Sequence, residues 1–256
     1  MRVLVCGARG KMGKEVVNAV RATEEMELVG GVDTAKGQVD GIELYDDLAE
    51  AIRQTKPDVV VDFTRPDVVL KHIKICYDFN VRVVVGTTGL SEVEIQKLKE
   101  EAKKDDWAAL IAPNFAIGAV LMMKFASKAA RFFPKVEIIE YHHDQKKDAP
   151  SGTAIKTAEM ILEARREESE LPKHEEWEKI PGARGGKLED INIHSIRLPG
   201  YVAHQEVIFG LPGQSLIIRH DSTNRESFMP GVILAIRKIH ELKGVIYGLE
   251  HILFQD

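Results

Sequence analysis

Arg2-Val3-Leu4-Val5-Cys6-Gly7-Ala8-Arg9-Gly10-Lys11-Met12-Gly13 is a short apolar run, then a glycine turn, and Lys14 to Thr23 follows at helical spacing. The order strand, glycine turn, helix is the opening of a dinucleotide-binding βαβ unit. The glycines lie as GxxGxxG and depart from GxGxxG in the middle glycine. The physical need is the same: a tight turn, close approach of backbone to a pyrophosphate, and close packing of helix on strand. The motif gains weight from Glu27-Leu28-Val29-Gly30-Gly31-Val32-Asp33, a second strand ending in an acid about twenty residues after the last glycine, where a ribose hydroxyl partner belongs. Asp33 is read as that partner, with a plain turn residue as the alternative. Arg9 and Lys36 lie close enough in sequence to reach a ribose phosphate, so NADH and NADPH both stay open.

Outward from this unit the alternation continues. Helices are expected over Leu48 to Gln54, Pro66 to Phe79 and Ser91 to Lys104, and strands at Val59-Val60-Val61-Asp62, Arg82-Val83-Val84-Val85 and Ala108 to Ile111. Near-continuous Val runs signal strands buried on both faces, hence a parallel sheet. Ligands of such sheets bind outside the carboxyl ends of the strands. Three segments sit there: Asp62-Phe63-Thr64-Arg65-Pro66, Gly86-Thr87-Thr88-Gly89 and Ala112-Pro113-Asn114-Phe115. Their shared location favours a cofactor cleft over three mere connectors.

A helix from Ile117 to Phe132 leads to Pro134. Val136 to Glu140 then alternates as a strand, and Ser151 to Glu168 has helical spacing. Between them lies Glu140-Tyr141-His142-His143-Asp144-Gln145-Lys146-Lys147-Asp148-Ala149-Pro150-Ser151-Gly152-Thr153-Ala154. Two histidines and two lysines are proton donors tunable toward neutrality. Ser151-Gly152-Thr153 has the composition of a helix start, whose unpaired N–H groups suit a carboxylate or phosphate. The bland alternative is a surface histidine pair beside an ordinary helix cap. Consecutive strand residues point to opposite faces, so His142 and His143 reach one ligand only if the strand has ended between them. That geometry, with no third ligand at zinc-like spacing, argues against a metal.

A charged segment with Pro172, Pro181 and Gly182-Ala183-Arg184-Gly185-Gly186 reads as a surface excursion. Ile191 to Leu198, Glu206 to Phe209 and Ser215 to His220 alternate strictly and are expected as antiparallel strands with one wet face. The helix Phe228 to Leu242 and the tail Val245 to Phe254 are too few for a third core, so they are expected to return to the first domain. The fold class is α/β: a dinucleotide-binding domain, residues 1–114 and 224–256, and an α+β domain, residues 115–223, with a mixed, largely antiparallel sheet.

At 256 residues and a net charge of −5, nothing favours nucleic acid or an anionic membrane as partner, and any anion must be held by local charge. No apolar run reaches the length of a membrane span. The first residues read as a core strand rather than a targeting peptide. Cys6 and Cys76 lie in apolar patterns without CxxC spacing, which predicts buried thiols in a reducing compartment, with the cytoplasm as default.

With the glycine turn, the three strand-end segments and Glu140-x-His142-His143-x-x-Lys146-x-Asp148-Ala149-Pro150-Ser151-Gly152-Thr153-Ala154 in view, the chain resembles the dihydrodipicolinate reductase family, the 4-hydroxy-tetrahydrodipicolinate reductases of lysine biosynthesis. The likeness runs over nearly the whole length. It implies a Rossmann-type domain closed by the C-terminal helices, a substrate domain, and a homotetramer built through the substrate-domain sheets. Carried over by residue, Gly7, Arg9, Gly10, Lys11, Met12 and Gly13 form the pyrophosphate loop, and Asp33 takes the ribose, with Lys36 beside it. Phe63, Thr64, Gly86, Thr87, Thr88, Ala112, Pro113, Asn114 and Phe115 line the cofactor cleft, and Arg225 and Phe228 stand near cofactor and hinge. His142 and Lys146 fill catalytic positions. His143, Ser151, Gly152 and Thr153 fill substrate-binding ones.

The implied substrate is a small cyclic dicarboxylate, a conjugated imine after loss of water. Hydride reaches C4 from NADH or NADPH and a proton reaches C3, given by His142 or Lys146. Closure about hinges near Phe115 and Asn224 is expected. Two rivals remain: another Rossmann dehydrogenase of a small amino-acid-derived acid, and a nicotinamide-binding sensor without turnover.

Overall fold

A computed structural model describes residues 1–39, 41–103, 106–165 and 177–254. They divide into two compact units, Met1–Ile117 with Arg225–Asp256, and Gly118–Asn224. The surroundings of Pro172, the helix end expected at Glu168 and that expected at Lys104 lie outside the described residues.

The first unit is built on β1 (Arg2–Cys6), β2 (Glu27–Val32), β3 (Gly37–Val39), β4 (Ile42–Tyr45), β5 (Val59–Asp62), β6 (Arg82–Val85), β7 (Ala108–Ile111) and, from the chain's end, β13 (Gly244–Tyr247). Their order is β13-β7-β6-β5-β1-β2-β4-β3. Every pairing is parallel except that of β3 with β4. Val3 to Cys6, Val59 to Val61 and Val83 to Val85 are fully buried, as two-sided cover by helices requires. Those helices are α1 (Lys11–Arg21), α2 (Leu48–Thr55), α3 (Pro66–Asp78), α4 (Glu92–Glu101), α7 (Met229–Lys238) and α8 (Glu250–Leu253). In α1 the buried positions Gly13, Val16, Val17 and Val20 follow the i, i+3, i+4, i+7 stripe of a core-facing helix.

The returning segment differs from its expectation. Val245 pairs with Ala109 and Ile246 with Leu110, so the tail adds a parallel edge strand as well as helices. Four apolar residues have no readable period; the open edge of β7 imposes the extended state. The hairpin of β3 and β4, likewise unanticipated, closes the opposite edge.

The second unit holds α5 (Ile117–Ala129), α6 (Gly152–Arg165), β8 (Lys135–His142), β9 (Gly186–Leu188), β10 (Ile191–Arg197), β11 (Ala203–Leu211) and β12 (Gln214–Ser222). The sheet order is β12-β11-β8-β10-β9. β10 corrects the reading of Ile191 to Leu198 as an antiparallel strand: it runs parallel to β8 and antiparallel only to β9. Alternation reports the face of a strand, not its direction. The crossover through α6 supplies the direction. Gly186, expected in a surface excursion, opens β9.

α6 lies along β8 and buries Ala154, Ala158 and Ile161, while Thr157 Oγ1 accepts a hydrogen bond from Gln205 Nε2 at 2.8 Å. Glu140 and Ile138 share this face with Gln205, Val207 and Phe209 by the strand period.

Candidate active site

The glycine turn begins where β1 ends. Gly7 has φ +78°, and a Cβ there would lie 2.6 Å from the Phe63 carbonyl oxygen; at Gly13 it would lie 1.9 Å from the Gly7 carbonyl oxygen. Only glycine lets the first turn of α1 sit so close to the strand end. Gly10 is the N-cap of α1, without a side-chain cap and without an acid in the first turn. By contrast Asp47 caps α2, Ser91 and Glu94 form a capping box on α4, and both first turns carry acids. The amides of Lys11, Met12 and Gly13 are thereby left to an anion such as a pyrophosphate.

Asp33 follows directly on β2. Its Oδ2 accepts the Arg9 N–H and its Oδ1 the Thr34 N–H, both at 2.8 Å. Arg9 Nη1 donates to the Ala35 carbonyl at 3.0 Å. Arg9 and Asp33 are thus brought together. Lys36 is drawn off toward α2, with Nζ 2.8 Å from Glu50 and 3.6 Å from Asp46.

Two of the three strand-end loops meet at a residue the sequence reading gave no role. Asp62, fully buried, accepts from Thr64 N at 3.0 Å, Thr64 Oγ1 at 2.7 Å and Thr87 Oγ1 at 2.9 Å, and its other oxygen lies 2.6 Å from His72 Nδ1. Both threonine hydroxyls are therefore committed to holding loops together, while Thr88 is exposed. An acid closing an otherwise all-valine buried strand was the available signal, because such a charge needs partners. Gly86 passes against the Phe63 ring, Phe63 and Phe115 rings stand 5.8 Å apart, and Asn114 Oδ1 accepts the Ala116 N–H at 2.8 Å. Ala112 N donates to Val85 O at 2.9 Å, and Pro113 is exposed. Arg225–Phe228 forms a 3-10 turn beside α1.

Among the described residues, Cys6, Asp62 and His72 carry ligand-type atoms within 4.8 Å of one another. The Asp62 carboxylate is already occupied by hydrogen bonds, so the group serves as a core anchor. Cys6 and Cys76 are free and buried. Burial first, then the nearby Asp62 charge, pushes both thiols up.

The second unit gathers the proton donors. β8 ends at His142, so His143 lies beyond the strand and escapes the opposite-face constraint. His142 Nδ1 lies 2.5 Å from Glu140 Oε2. Glu140, 0% exposed, also accepts from Nη1 and Nη2 of Arg197, at 2.8 and 2.7 Å, and from the Ser151 N–H at 3.2 Å. Burial pushes the Glu140 carboxyl up, but hydrogen bonds from His142, Arg197 and Ser195 outweigh it and hold it at about 2. Arg197 further donates to the Asp148 carbonyl at 2.8 Å. Lys146 Nζ is paired to both Asp148 carboxylate oxygens at 2.7 and 2.8 Å, and this hydrogen bond, together with smaller effects, lowers the Asp148 carboxyl.

Ser151 Oγ accepts the Ala154 N–H at 3.2 Å, which makes it the cap of α6 and leaves its hydroxyl hydrogen as a donor. No acid stands in the first turn of α6, and the space at Gly152 is open. His142, Lys146, Ser151, Gly152 and Thr153 thus share one strand, loop and helix start. Glu140 and Arg197, which tie them together, were missed as functional residues. Glu140 stood in the quoted motif without a task, and Arg197 is 57 residues further on.

A Rossmann unit with an uncapped, acid-free glycine turn, and a second unit where proton donors adjoin a helix start, define an oxidoreductase that pairs a pyridine nucleotide with a small anionic substrate. Residues 1–115 match the family described as dihydrodipicolinate reductase, N-terminus, and residues 118–253 its C-terminus. The chain belongs to the dihydrodipicolinate reductase family. It is similar to the 4-hydroxy-tetrahydrodipicolinate reductase of Syntrophomonas wolfei, 53% identical over 98% of both chains. With that of Listeria innocua it shares 52% identity over 99% of this chain and all of the other. A dipicolinate-bound dihydrodipicolinate reductase from Paenisporosarcina sp. TG-14 has the same fold, with a TM-score of 0.89 and 46% identity over 98% of each chain.

Proposed function

We infer that this chain reduces 4-hydroxy-tetrahydrodipicolinate to tetrahydrodipicolinate with NADH or NADPH, in the diaminopimelate route to lysine. The observation that carries the reading is the placement of His142 and Lys146 beside the start of α6 on one strand–loop–helix. A cyclic diacid gives the two needs that this arrangement meets. Its carboxylates take the first-turn N–H groups of Gly152 and Thr153, the Ser151 hydroxyl, His143 and Lys146, each charge-assisted bond contributing about 1.5–3 kcal/mol. Its reduced enamine takes a proton at C3, given by His142 or Lys146.

Residues 1–114 with 224–256 are assigned to the dinucleotide, and residues 115–223 to the diacid. The nicotinamide, when bound, supplies the hydride to C4. This chain's part there is to hold the pyrophosphate on the first turn of α1 and the ribose on Asp33, with Phe63, Thr64, Gly86, Thr87, Thr88, Ala112, Pro113, Asn114, Phe115, Arg225 and Phe228 around them. A homotetramer through the substrate-domain sheets belongs to the same reading, supported by Ile217, which is 56% exposed on β12. So does a cytoplasmic location, supported by two free buried thiols.

The test is anaerobic oxidation of NADH and NADPH, followed at the nicotinamide band, with substrate generated in place from pyruvate and aspartate semialdehyde by a synthase. Oxidation that needs the full mixture supports the reading; none, in a sample that binds nucleotide, overturns it. The two cofactors are separated by position 33. Asp33→Ala raises KM for NADH about tenfold, the loss of a charge-assisted bond, and lowers the NADH:NADPH ratio of kcat/KM. Lys36→Ala raises KM for NADPH about tenfold and leaves that for NADH unchanged, because an ion pair with Glu50 at so exposed a site is weak and yields the ammonium to a ribose phosphate. No change in either KM would remove Lys36 from the cofactor site.

A further inference from the structure

Burying a carboxylate costs several kcal/mol unless its partners are complete. Glu140 stands fully buried on the central strand of its sheet, and its partners come from three elements. The strand period puts Glu140 and His142 on one face. The parallel register sets Ser195 beside Glu140 and Arg197 beside His142, so the guanidinium reaches across to both carboxylate oxygens. The Ser151 amide approaches from the start of α6. The charged and titratable groups around it are His142 on β8, Arg197 on β10, and, in the loop that Arg197 pins through the Asp148 carbonyl, Lys146 and Asp148.

An ionised carboxylate only accepts hydrogen bonds, so the proton of the 2.5 Å contact belongs to His142 Nδ1. Nε2 is then the ring position left to exchange a proton. Arg197 matters twice: it completes the bonding of Glu140, and it ties that carboxylate to the loop carrying Lys146.

We propose that Glu140 is a positioning residue for proton transfer: its carboxylate keeps a proton on His142 Nδ1, so that the imidazolium gives its Nε2 proton to the reacting carbon and is left as the neutral Nδ1–H ring, while Arg197 and the Ser151 amide hold the carboxylate still. This rests on the reading above that His142 takes part in moving the proton to the diacid. Glu140 itself touches neither substrate nor cofactor in this account, and it acts through the ring.

The experiment joins a spectrum to a kinetic cycle on the full chain. Histidine-labelled protein is followed by ¹⁵N NMR: the neutral His142 ring is expected as the Nδ1–H tautomer, and in Glu140→Gln as a mixture of tautomers. In parallel, Glu140→Gln is expected to lower kcat about 10- to 100-fold, with NADH affinity unchanged. Added to His142→Ala it is expected to lower kcat by less than about twofold further, since it acts through a ring already gone. A wild-type His142 in the Nε2–H tautomer overturns the proposal. So does the same fold-loss from Glu140→Gln in both backgrounds, which marks a merely structural residue. Should the single variant not fold, Glu140→Gln with Arg197→Met removes both charges and takes its place in the cycle, while the wild-type spectrum needs no variant. Failure of the reductase reading shows separately, as a wild type that never consumes the diacid while the tautomer is still read.

Discussion

Lys146→Ala lowers kcat for the diacid by about 10²–10⁴-fold, the scale of a lost general acid, with the fold and NADH affinity retained. The Lys146 side chain is 22% exposed and its partner Asp148 is 65% exposed. A pair so open to water contributes at most about 1 kcal/mol to stability, so the variant stays folded. The same openness lets Asp148 yield the ammonium to an incoming carboxylate. Lys146→Arg separates the two tasks of this residue. A guanidinium keeps the charge and the reach but does not release a proton at working pH, so it restores KM and leaves kcat low. Steady-state kinetics with thermal melts check both variants; an unchanged kcat in Lys146→Ala removes the residue from the mechanism, and a full recovery in Lys146→Arg reduces it to a point charge.

The second large effect is on stability. Arg197→Met destabilises the chain by about 3–5 kcal/mol at pH 7, as expected when one partner of a buried ion pair is taken away. Glu140 is 0% exposed and both of its oxygens rest on Arg197. The sign of the pH dependence follows from the Glu140 carboxyl, held at about 2 when folded against an ordinary 4.5. A carboxyl lowered by folding contributes fully above 4.5, and the contribution is lost as pH falls from there through about 2. Urea midpoints of wild type and variant are therefore widest apart near neutrality and draw together below 4.5. A gap that stays constant to pH 2 would assign the effect of Arg197 to packing rather than charge.

The outline of the first unit was open to reading because its signals are local. β1, β5, β6 and β7 are apolar runs of four or five residues, the first three valine-rich, and α1 shows its buried stripe in eight consecutive positions. β13 was not readable, since its extended state depends on the edge of β7, more than a hundred residues back. Nor was the direction of β10, which alternates identically whether its neighbour runs up or down.

The candidate site divides the same way. The glycine turn, Asp33, His142, Lys146 and the helix start at Ser151 were all visible, since each task is carried by residue type within a short span. Asp62 and His72, Glu140 and Arg197, and the tie of Lys36 to Glu50 were invisible, since each joins residues ten to fifty-seven positions apart.

By itself, then, the sequence determined that this chain is a two-part α/β protein with a dinucleotide turn and a basic loop before a helix start. Those features are written in periodicity and residue type over stretches shorter than twenty residues. Which carboxylates are buried, which donors they commit, and which nitrogen of His142 is left for a proton were decided only by the tertiary structure. A buried charge is defined by the partners that surround it, and packing, not sequence spacing, brings those partners together.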